Sequence, residues 1–486
     1  MVSENGVNNK HNELIHVLMI SFPGQGHVNP LIRLGKRIAS DGFLVTFVTF
    51  EDFGRKMRAS NASISGEPVP VGDGFIRFEF IHDELKEDDP IKRDMDGHIL
   101  QMESVGRRWV RDTLARMLQE ARPVSCLINN AYLSWVSDEA EAAGLPSVLL
   151  WPQSCASFLI YYYFDQKLSA FPSDNDPETD VEIPTLPLLK WDEIPTFLHP
   201  TTPCPSLRRV TLEQIKIISK PSCILVDTFY ELEKETIDFT EKLLGKILVR
   251  PIGPLYKKVV SGSSQVRADS CKVDTECLEW LDRQPNGSVV YIAMGTVVLL
   301  KQEQVDEMAA GLEAAGMAFL WVVKPPHPGM GFPEGFLERV GDKGKIIEFS
   351  PQEQVLAHPA VACFMTHCGW NSTMEAITSG VPVIAFPQWG DQVTDAKFLC
   401  DVFGMGMLLC RGDHENRIIP RDEIEKCLRE AILGPKAVEM KTNARKWKVA
   451  ANDAIVDGGS SDLNFRSFVD EIRKTGQNVL ACANGQ

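Results

Sequence analysis

Short apolar runs alternate along the chain with longer segments in which apolar residues recur at helical spacing. The run "IHVLMISF" (15–22) is followed by the helical pattern "LIRLGKRIAS" and then by a second run, "FLVTFVTF" (43–50). Short runs that are apolar throughout are typical of parallel strands covered on both faces. This order of strand, helix and strand predicts an α/β fold built from βαβ units.

The same alternation continues through both halves of the 486-residue chain, which is long enough for two domains. Between the halves the sequence turns polar and rich in Gly and Ser, as interdomain linkers do. We therefore expect two doubly wound α/β domains. The predicted boundaries are 1–252 for the N-terminal domain, 253–275 for the linker, 276–458 for the C-terminal domain, and 459–486 for a C-terminal helix and tail that could pack back on the first domain.

The net charge, the apolar runs and the cysteines indicate which partners and which cellular location to expect. The formal net charge of −16 argues against nucleic acid or an anionic membrane surface as a partner. The apolar run near the start is too short for a signal peptide or a membrane span. Twelve cysteines form no CxxC motif, and several lie in strand-like apolar runs, as reduced thiols of cytosolic proteins do. We expect a cytoplasmic protein that binds small molecules and does not insert into membranes.

Polar side chains collect at the ends of two successive strand-like runs in the second half. Ligands of doubly wound sheets bind at the carboxyl ends of strands, where loops lead into helix N-termini. After the run that ends at His367, the donors of Asn371 and Ser372 and a helix N-terminus would suit a phosphate. After the next run, Asp391 and Gln392 would suit the hydroxyls of a sugar. Together these features predict a nucleotide-sugar site, although Ser372 to Glu375 also fits a capping box that needs no ligand.

Residues 349–392, "FSPQEQVLAHPAVACFMTHCGWNSTMEAITSGVPVIAFPQWGDQ", resemble the 44-residue donor-binding signature of plant UDP-dependent glycosyltransferases. The run "FPGQGHVNP" near the start and the general layout extend this resemblance over essentially the whole chain. The resemblance implies a GT-B fold, in which two Rossmann-like domains face each other across a cleft. It further implies that the N-terminal domain binds the acceptor, that the C-terminal domain binds the UDP-sugar, and that no metal or other cofactor is needed.

The resemblance also assigns roles in the donor site. The terminal Gln of the signature implies UDP-glucose as the donor. Phe349 stands where the family usually has Trp, so we expect weaker stacking on uracil, or else a residue that merely ends a buried strand. The implied contacts are Phe349, Ser350 and Gln352 with the base and ribose, Glu375 with the ribose hydroxyls, Thr296, His367, Asn371 and Ser372 with the diphosphate, and Trp370, Asp391 and Gln392 with the sugar.

In the first half, His27 follows a loop with two glycines, and Asn29 and Pro30 read as the start of a helix. The family uses this His as a general base on the acceptor, whereas the residues alone are equally consistent with loop packing. Many members carry Asp at the position of Asn130, where it orients the His and stabilises its protonated form. Asn carries no charge, so we expect a hydroxyl acceptor to be poorly activated, unless Asn130 simply pairs buried backbone.

A carboxylic acid acceptor, with a pKa of about 4, is already ionised at neutral pH. The segments "INN…W" and "LWPQSCASF" resemble the subgroup that forms glucose esters of hydroxycinnamic and hydroxybenzoic acids, gallate included. We therefore expect an inverting glucosyltransferase that makes 1-O-β-glucose esters of phenolic acids. Transfer to phenolic hydroxyls of flavonoids and non-catalytic sugar-nucleotide binding stay open. A dinucleotide-dependent oxidoreductase is disfavoured, because the third glycine of G-x-G-x-x-G would fall at Asn29.

Overall fold

The computed structural model describes residues 14–61, 64, 66–120, 122–256, 275–323, 331–409 and 417–484. Most of the linker predicted at 253–275 lies outside these residues. The strands are β1 (His16–Ile20), β2 (Leu44–Phe50), β3 (Val69–Val71), β4 (Gly74–Ile81), β5 (Val124–Asn130), β6 (Ser147–Trp151), β7 (Cys223–Val226), β8 (Leu248–Pro251), β9 (Val289–Ala293), β10 (Ala318–Val322), β11 (Gly344–Ile347), β12 (Val361–Thr366), β13 (Val383–Ala385) and β14 (Gly406–Leu408).

Helices connect these strands, as the alternating pattern predicts. They are α1 (Gln25–Ser40), α2 (Glu51–Ser60), α3 (Met95–Gln119), α4 (Trp135–Ala142), α5 (Cys155–Asp165), α6 (Pro205–Lys216), α7 (Tyr230–Leu244), α8 (Glu276–Asp282), α9 (Gln302–Ala315), α10 (Phe336–Val340), α11 (Gln352–Ala357), α12 (Trp370–Ser379), α13 (Gln392–Lys397), α14 (Arg421–Leu433), α15 (Pro435–Ile455) and α16 (Ser460–Asn484). Short 3₁₀ turns lie at Pro90–Arg93, Trp191–Glu193, Thr196–Leu198 and Gly341–Lys343, and a π-helical turn lies at Phe398–Val402.

The described residues form two compact units. The first unit draws on Met1–Gln166, Pro203–Cys271 and Ala454–Gln486, and the second on Lys167–Thr202 and Lys272–Asp453. Residues 167–202 thus group with the second unit, although the sequence places them inside the first predicted domain. No apolar run marks this excursion, so the pattern of strands and helices carries no signal for it.

The first unit contains an eight-stranded sheet in the order β3-β4-β2-β1-β5-β6-β7-β8. All neighbours are parallel except β3, which runs antiparallel to β4. From β1 the chain moves outward through β2, and from β5 it moves outward in the opposite direction through β6, β7 and β8. The strand order therefore reverses between β1 and β5, the position where open α/β sheets bind ligands.

Helix α1 starts earlier than the sequence predicts. Gly24, in an extended conformation, is its N-cap, so the prediction that the helix starts at Asn29 and Pro30 was wrong. Pro30 lies inside the helix, where it lacks the N–H that would bond the carbonyl of Gly26. The early start brings His27 into the first turn of the helix, directly beyond the end of β1.

The C-terminal helix α16 is part of the first unit. Phe465, Phe468 and Ile472 join the hydrophobic core of that unit. The Ser461 hydroxyl donates to the carbonyl of Gly253 at 2.6 Å, so polar contacts at the start of the helix add to the apolar ones. The end of the chain therefore completes the core of the unit that contains β1.

The second unit contains a six-stranded, wholly parallel sheet in the order β11-β10-β9-β12-β13-β14. The order reverses between β9 and β12, so this unit repeats the topology of the first around its own switch point. Within the described residues, every helix is too short or too polar to cross a lipid bilayer.

Candidate functional site

The polar residues of the second half lie at one edge of its sheet. Because β9, β11 and β12 are parallel, their carboxyl ends meet at this edge. Thr296 follows β9, Phe349 follows β11 and His367 follows β12. The structure therefore places Thr296 and His367, 71 positions apart in the chain, at the switch point between β9 and β12. Phe349 lies at the same edge of the sheet but follows β11, two strands away from β9.

His367 lies in a slot that two glycines shape. A Cβ atom on Gly295 would lie 2.6 Å from His367 Nε2, and one on Gly369 would lie 2.7 Å from the same atom. Gly295 also has a φ of +70°, which side chains other than hydrogen disfavour. Burial lowers the pKa of His367 to about 4, so the ring is neutral at physiological pH. A neutral imidazole can still donate one hydrogen bond to a phosphate oxygen.

Helix α12 begins immediately after this slot. Its N-cap is Gly369, and no side chain caps it, so the capping box suggested by Ser372 and Glu375 was wrong. Trp370, the first helical residue, is buried. The N–H groups of a first helical turn have no intrahelical acceptor, and the helix dipole favours an anion there. With Asn371 and Ser372 in the same turn, this helix N-terminus fits a diphosphate.

Four residues of the signature form one hydrogen-bond network around a tyrosine. Gln352 Nε2 donates to Ser372 Oγ at 3.0 Å and to Glu375 Oε2 at 2.5 Å. The hydroxyl of Tyr291 donates to Gln352 Oε1 at 3.0 Å, and it lies 2.6 Å from Ser350 Oγ. The helix residues Ser372 and Glu375 are thus tied to the loop after β11, which is where the resemblance expects the ribose.

Tyr291 was missed by sequence reasoning. It lies within the apolar strand β9, and its ring stacks on Phe364 at a centroid distance of 4.9 Å. Burial raises the pKa of its phenol far above the usual range, so the hydroxyl stays protonated and can serve as a donor. A hydroxyl inside an otherwise apolar strand was the available signal, because a buried hydroxyl needs a partner.

Phe349 does not end a buried strand. Strand β11 ends at Ile347, and Phe349 lies two residues further along the chain with a half-exposed side chain. The interpretation that Phe349 ends a buried strand was therefore wrong. In the chain, Phe349 immediately precedes Ser350, a member of the hydrogen-bond network. Its position in the loop after β11 suits a planar ligand face, since a partly exposed aromatic ring can stack on a base.

The predicted sugar residues follow β13. Asp391 is the N-cap of α13 and is half-buried, whereas Gln392 is buried. Gln392 Oε1 accepts the main-chain N–H groups of Gln388 at 3.0 Å and Trp389 at 3.2 Å. These two donors fix the orientation of the amide, so Nε2 is the atom with which Gln392 would meet a sugar hydroxyl.

In the first unit, His27 lies among aromatic rings. Its ring centroid lies 5.3 Å from that of Phe22 and 4.7 Å from that of Tyr132, a buried residue with a φ of +78°. The Nδ1 atom is buried and makes no hydrogen bond to any described residue. Burial lowers the pKa of His27 to about 4, so this ring is also neutral.

Asn130 lies at the end of β5, next to β1, and its amide is occupied by the loop that carries His27. Its Oδ1 accepts the N–H of Phe22 at 3.0 Å, and its Nδ2 donates to Ser21 Oγ at 3.0 Å and to the carbonyl of His27 at 2.8 Å. The amide therefore bonds the backbone of His27 and not its imidazole, as the backbone-pairing interpretation expects. At this switch point the loop would otherwise leave a buried N–H and a carbonyl unpaired.

A pocket lies beside the aromatic neighbours of His27. It contains two carboxylates, Glu103 and Glu213, which pair with Arg107 and Arg209 of their own helices. The apolar lining comprises Phe22, Ile99, Met102, Tyr132, Trp135 and Val210.

Comparisons with known proteins point to one family. The sequence model described as "UDP-glucoronosyl and UDP-glucosyl transferase" matches residues 263–432. A limonoid UDP-glucosyltransferase of Citrus unshiu is 56% identical over 97% of this chain and 93% of its own length. A gallate 1-beta-glucosyltransferase (84A23) of Punica granatum is 55% identical over 96% and 92%. A cinnamate beta-D-glucosyltransferase of Fragaria ananassa is 55% identical over 95% and 83%.

A solved structure extends the likeness to the whole fold. The crystal structure of Os79 from O. sativa in complex with UDP is 29% identical in sequence, with a TM-score of 0.79, and the match covers 94% of this chain and 100% of that one. This likeness confirms the GT-B fold class. The chain therefore belongs to the UDP-glucuronosyl and UDP-glucosyl transferase family and is a UDP-glycosyltransferase.

Proposed function

We propose that this protein is an inverting glucosyltransferase that transfers glucose from UDP-glucose to the carboxylate of a phenolic acid. Gallate, other hydroxybenzoates and hydroxycinnamates are the proposed acceptors, and the product is a 1-O-β-glucose ester. The names of the Punica granatum and Fragaria ananassa relatives support this class of acceptor. The surroundings of His27 support it independently, and they are the observation that carries the proposal.

His27 has no acidic partner among the described residues that would make it a strong base. Its Nδ1 makes no hydrogen bond to any of them, and its pKa is lowered by burial. The side chain that could have carried a carboxylate, Asn130, is an amide bound to the loop backbone. A phenol, with a pKa of about 10, depends on proton removal, whereas an ionised carboxylate does not.

The same geometry favours one tautomer of His27. A proton on Nδ1 would be a buried N–H without an acceptor among the described residues, and such donors are rarer in proteins than unpaired acceptors. The proton therefore belongs on Nε2. In this form His27 offers an N–H to an acceptor carboxylate and holds it, and it is not poised to take a proton from a hydroxyl.

The reaction then needs no proton transfer from the acceptor. A carboxylate oxygen forms a bond to the anomeric carbon of glucose from the face opposite UDP. The bond from that carbon to the diphosphate oxygen breaks, and its electron pair leaves with UDP. Neutral donors at the start of α12, together with His367, would stabilise the charge that develops on the diphosphate.

We also propose that no metal ion is required for this step. The residues expected at the diphosphate, His367, Asn371 and Ser372, offer neutral hydrogen-bond donors. Magnesium prefers carboxylate oxygens, and Glu375, a carboxylate on the same helix as Asn371 and Ser372, is hydrogen-bonded to Gln352. This set of side chains suits a phosphate oxygen better than a hard cation.

A cytoplasmic location is the further proposal. Five cysteines of the described residues are buried thiols outside any disulfide: Cys126, Cys155, Cys223, Cys363 and Cys427. Burial raises the pKa of the Cys363 and Cys223 thiols to about 12, which keeps them protonated and unreactive. Buried, unpaired thiols are typical of a reducing compartment.

Glucosylation of a hydroxyl is the second candidate, because the Citrus unshiu relative is named for limonoids at nearly the same identity. The test compares gallate with methyl gallate, which keeps the three phenolic hydroxyls and lacks the free carboxylate. With purified enzyme and UDP-glucose, we expect gallate to give a product that mild base cleaves, and methyl gallate to react far more slowly. Equal rates for both acceptors, with a base-stable glucoside from each, would replace the ester proposal by the hydroxyl one.

A further inference from the structure

A segment far from the signature in sequence packs against the predicted sugar residues. We call Trp191–Leu198 the brace and residues 387–392 the sugar loop. Both belong to the second unit, although nearly 200 positions separate them in the chain. The brace lies in the excursion 167–202, which no motif of the sequence connects with the donor site.

Two hydrogen bonds join Thr196 of the brace to Gly390 of the sugar loop, and each residue donates one of them. The N–H of Thr196 donates to the carbonyl of Gly390 at 3.0 Å, and the N–H of Gly390 donates to Thr196 Oγ1 at 2.7 Å. Gly390 has a φ of +69°, and a Cβ atom there would lie 3.3 Å from the ring of Phe197. The brace therefore packs directly on the sugar loop at Gly390 and leaves little room there for a side chain.

A second set of contacts fixes helix α13, which begins at Gln392. Thr394 Oγ1 donates to the carbonyl of Glu193 at 2.8 Å, and Lys397 Nζ donates to Glu193 Oε1 at 3.0 Å. Burial by itself would lower the pKa of Lys397, but its hydrogen bonds to Asp401 and Glu193 raise it. Both ends of this ion pair are largely buried, so it is less screened than a surface pair.

An aromatic contact is the third link between the brace and the sugar loop. The ring of Phe197 lies 5.7 Å from the ring of Trp389, the residue whose N–H bonds Gln392 Oε1. The brace thus contacts Trp389 and Gly390 on one side of Asp391 and Gln392 in the chain. It contacts Thr394 and Lys397 on the other side. The network of Tyr291, Gln352 and Glu375 joins other elements of the sheet edge, namely β9, α11 and α12.

We propose that Thr196 and Glu193 are positioning residues for the donor sugar. They hold the sugar loop so that Asp391 and Gln392 meet the glucose hydroxyls, while the uridine and diphosphate are bound elsewhere. This inference rests on the proposed use of Asp391 and Gln392 for the sugar of UDP-glucose. It predicts that a weakened brace impairs recognition of UDP-glucose and leaves recognition of UDP intact.

The test uses a pair of variants of nearly equal size. Thr196→Val keeps the shape and removes Oγ1, which leaves the Gly390 N–H without its acceptor, whereas Thr196→Ser keeps the oxygen. For Thr196→Val we expect the KM for UDP-glucose to rise about three- to tenfold, the loss typical of one hydrogen bond. The Kd of UDP, measured by calorimetry, should stay within about twofold of wild type, and Thr196→Ser should restore the KM.

Two further variants sharpen the result. Glu193→Gln keeps a side chain of the same length and removes the ion pair with Lys397, so it should raise the same KM without changing the Kd of UDP. Thr179→Val removes a hydroxyl from the same excursion, which donates to the nearby carbonyl of Asp176, and it should behave as wild type. Each KM is measured with saturating gallate and with product UDP removed.

Two outcomes would overturn the inference. In the first, Thr196→Val weakens UDP and UDP-glucose equally and lowers the melting temperature, which is a purely structural role. In the second, Thr196→Val leaves the KM for UDP-glucose unchanged. A failure of the proposed function looks different: wild-type enzyme would bind UDP-glucose but form no ester with gallate, and the binding comparison between UDP and UDP-glucose would still test the brace.

Discussion

The side-chain amide of Asn130 donates to the main-chain carbonyl of His27 at 2.8 Å. The residue at the end of β5 thus holds the loop that carries the histidine, while the imidazole is packed by Phe22 and Tyr132. The histidine is fixed through its backbone and lacks a charged partner among the described residues. The hydrogen bond that holds the backbone of His27 thus does nothing to make its imidazole a stronger base. The first two predictions depend on this difference.

Asn130→Asp should destabilise the protein, and the loss should grow with pH. A carboxylate can accept the Phe22 N–H, but when ionised it cannot donate to the His27 carbonyl, which costs about 1–3 kcal/mol. Burial without a cation raises the pKa of this new carboxyl, so the folded state holds its proton to higher pH than the unfolded chain does. Stability then falls as pH rises. Melting temperatures from about pH 5 to 8 measure this directly.

The opposite result would show that the new carboxylate turns toward the imidazole. In that case the stability penalty would shrink near neutral pH, and the kcat/KM for a flavonol would rise while that for gallate falls. The structure favours the first outcome, because Asn130 Nδ2 already bonds Ser21 and His27. The Kd of UDP is the control, since the proposed UDP site lies in the second unit.

His27→Gln should retain more activity toward gallate than His27→Ala does. An amide N–H can still hold an acceptor carboxylate but cannot act as a base, so the comparison separates the two roles. We expect His27→Ala to lower kcat/KM for gallate by about tenfold or more, the worth of a hydrogen bond to a charged group, and His27→Gln to recover part of it. The Kd of UDP should be unchanged in both. Equal, near-complete loss in the two variants would indicate general-base catalysis instead.

The ends of the predicted strands are where sequence reasoning placed the candidate residues, and the topology of the sheets explains why it could place them. His27 and His367 follow strands that flank a reversal of strand order, and Asn130 is the last residue of another such strand. The apolar runs were sufficient to predict those strands. The side chains at such ends share an edge whatever the details of packing. The family resemblance then supplied their roles, which composition and spacing alone left open.

What the sequence did not reveal depends on contacts between distant segments. Tyr291 reads as an ordinary strand residue, and its link to Ser350 and Gln352 exists only once β9 lies beside the loop after β11. The brace at Thr196 gives no periodic signal, because it consists of short 3₁₀ turns. The start of α12 was misjudged for a related reason, since Ser372 satisfies Gln352 instead of capping its own helix.

Tyr291→Phe should weaken UDP binding by about 1 kcal/mol, the usual worth of one buried hydrogen bond. The variant keeps the ring that stacks on Phe364 and removes the hydroxyl that bonds Ser350 and Gln352. Ser350→Ala is the companion variant. If the network acts as a unit, the double variant should lose less than the sum of the two single losses in UDP affinity. Strictly additive losses would mean that the hydroxyls of Tyr291 and Ser350 act independently, and an unchanged Kd of UDP in Tyr291→Phe would mean that Tyr291 supports the site through packing alone.

Activity toward an acid acceptor should vary little between about pH 6 and 8, because an acceptor with a pKa of about 4 stays ionised there. Burial lowers the pKa of His27 and His367 to about 4 and that of His16 to about 3, so these rings are neutral over the same range. A phenolic acceptor would instead react faster as pH rises. A kcat/KM for gallate that rose steeply across this range would contradict the absence of a base-limited step.

The same histidines predict the acid limit of stability. Their folded-state pKa values lie below the value of about 6.5 for an unfolded chain, so the unfolded state binds more protons at intermediate pH. Stability should therefore be complete above about pH 6.5 and decline as pH falls toward 4. His16→Asn, which replaces a ring that bonds Thr46, should make the melting temperature less sensitive to pH in this range. An unaltered slope in this variant would show that His16 is not one of the titrating groups.

Gly295→Ala should impair donor binding, and Gly287→Ala should not. Both glycines have positive φ angles, +70° and +63°, so alanine at either position should lower the free energy of unfolding by about 1–2 kcal/mol. A Cβ at position 287 would meet nothing within 4 Å, whereas one at 295 would lie 2.6 Å from His367 Nε2. His367 must therefore move in Gly295→Ala, and with it the N–H expected at the diphosphate. We expect similar melting temperatures for the two variants but a Kd of UDP raised about tenfold only in Gly295→Ala, the loss of one hydrogen bond to a charged group. Calorimetric titration of both variants with UDP measures this difference, and equal affinities would remove His367 from the diphosphate site.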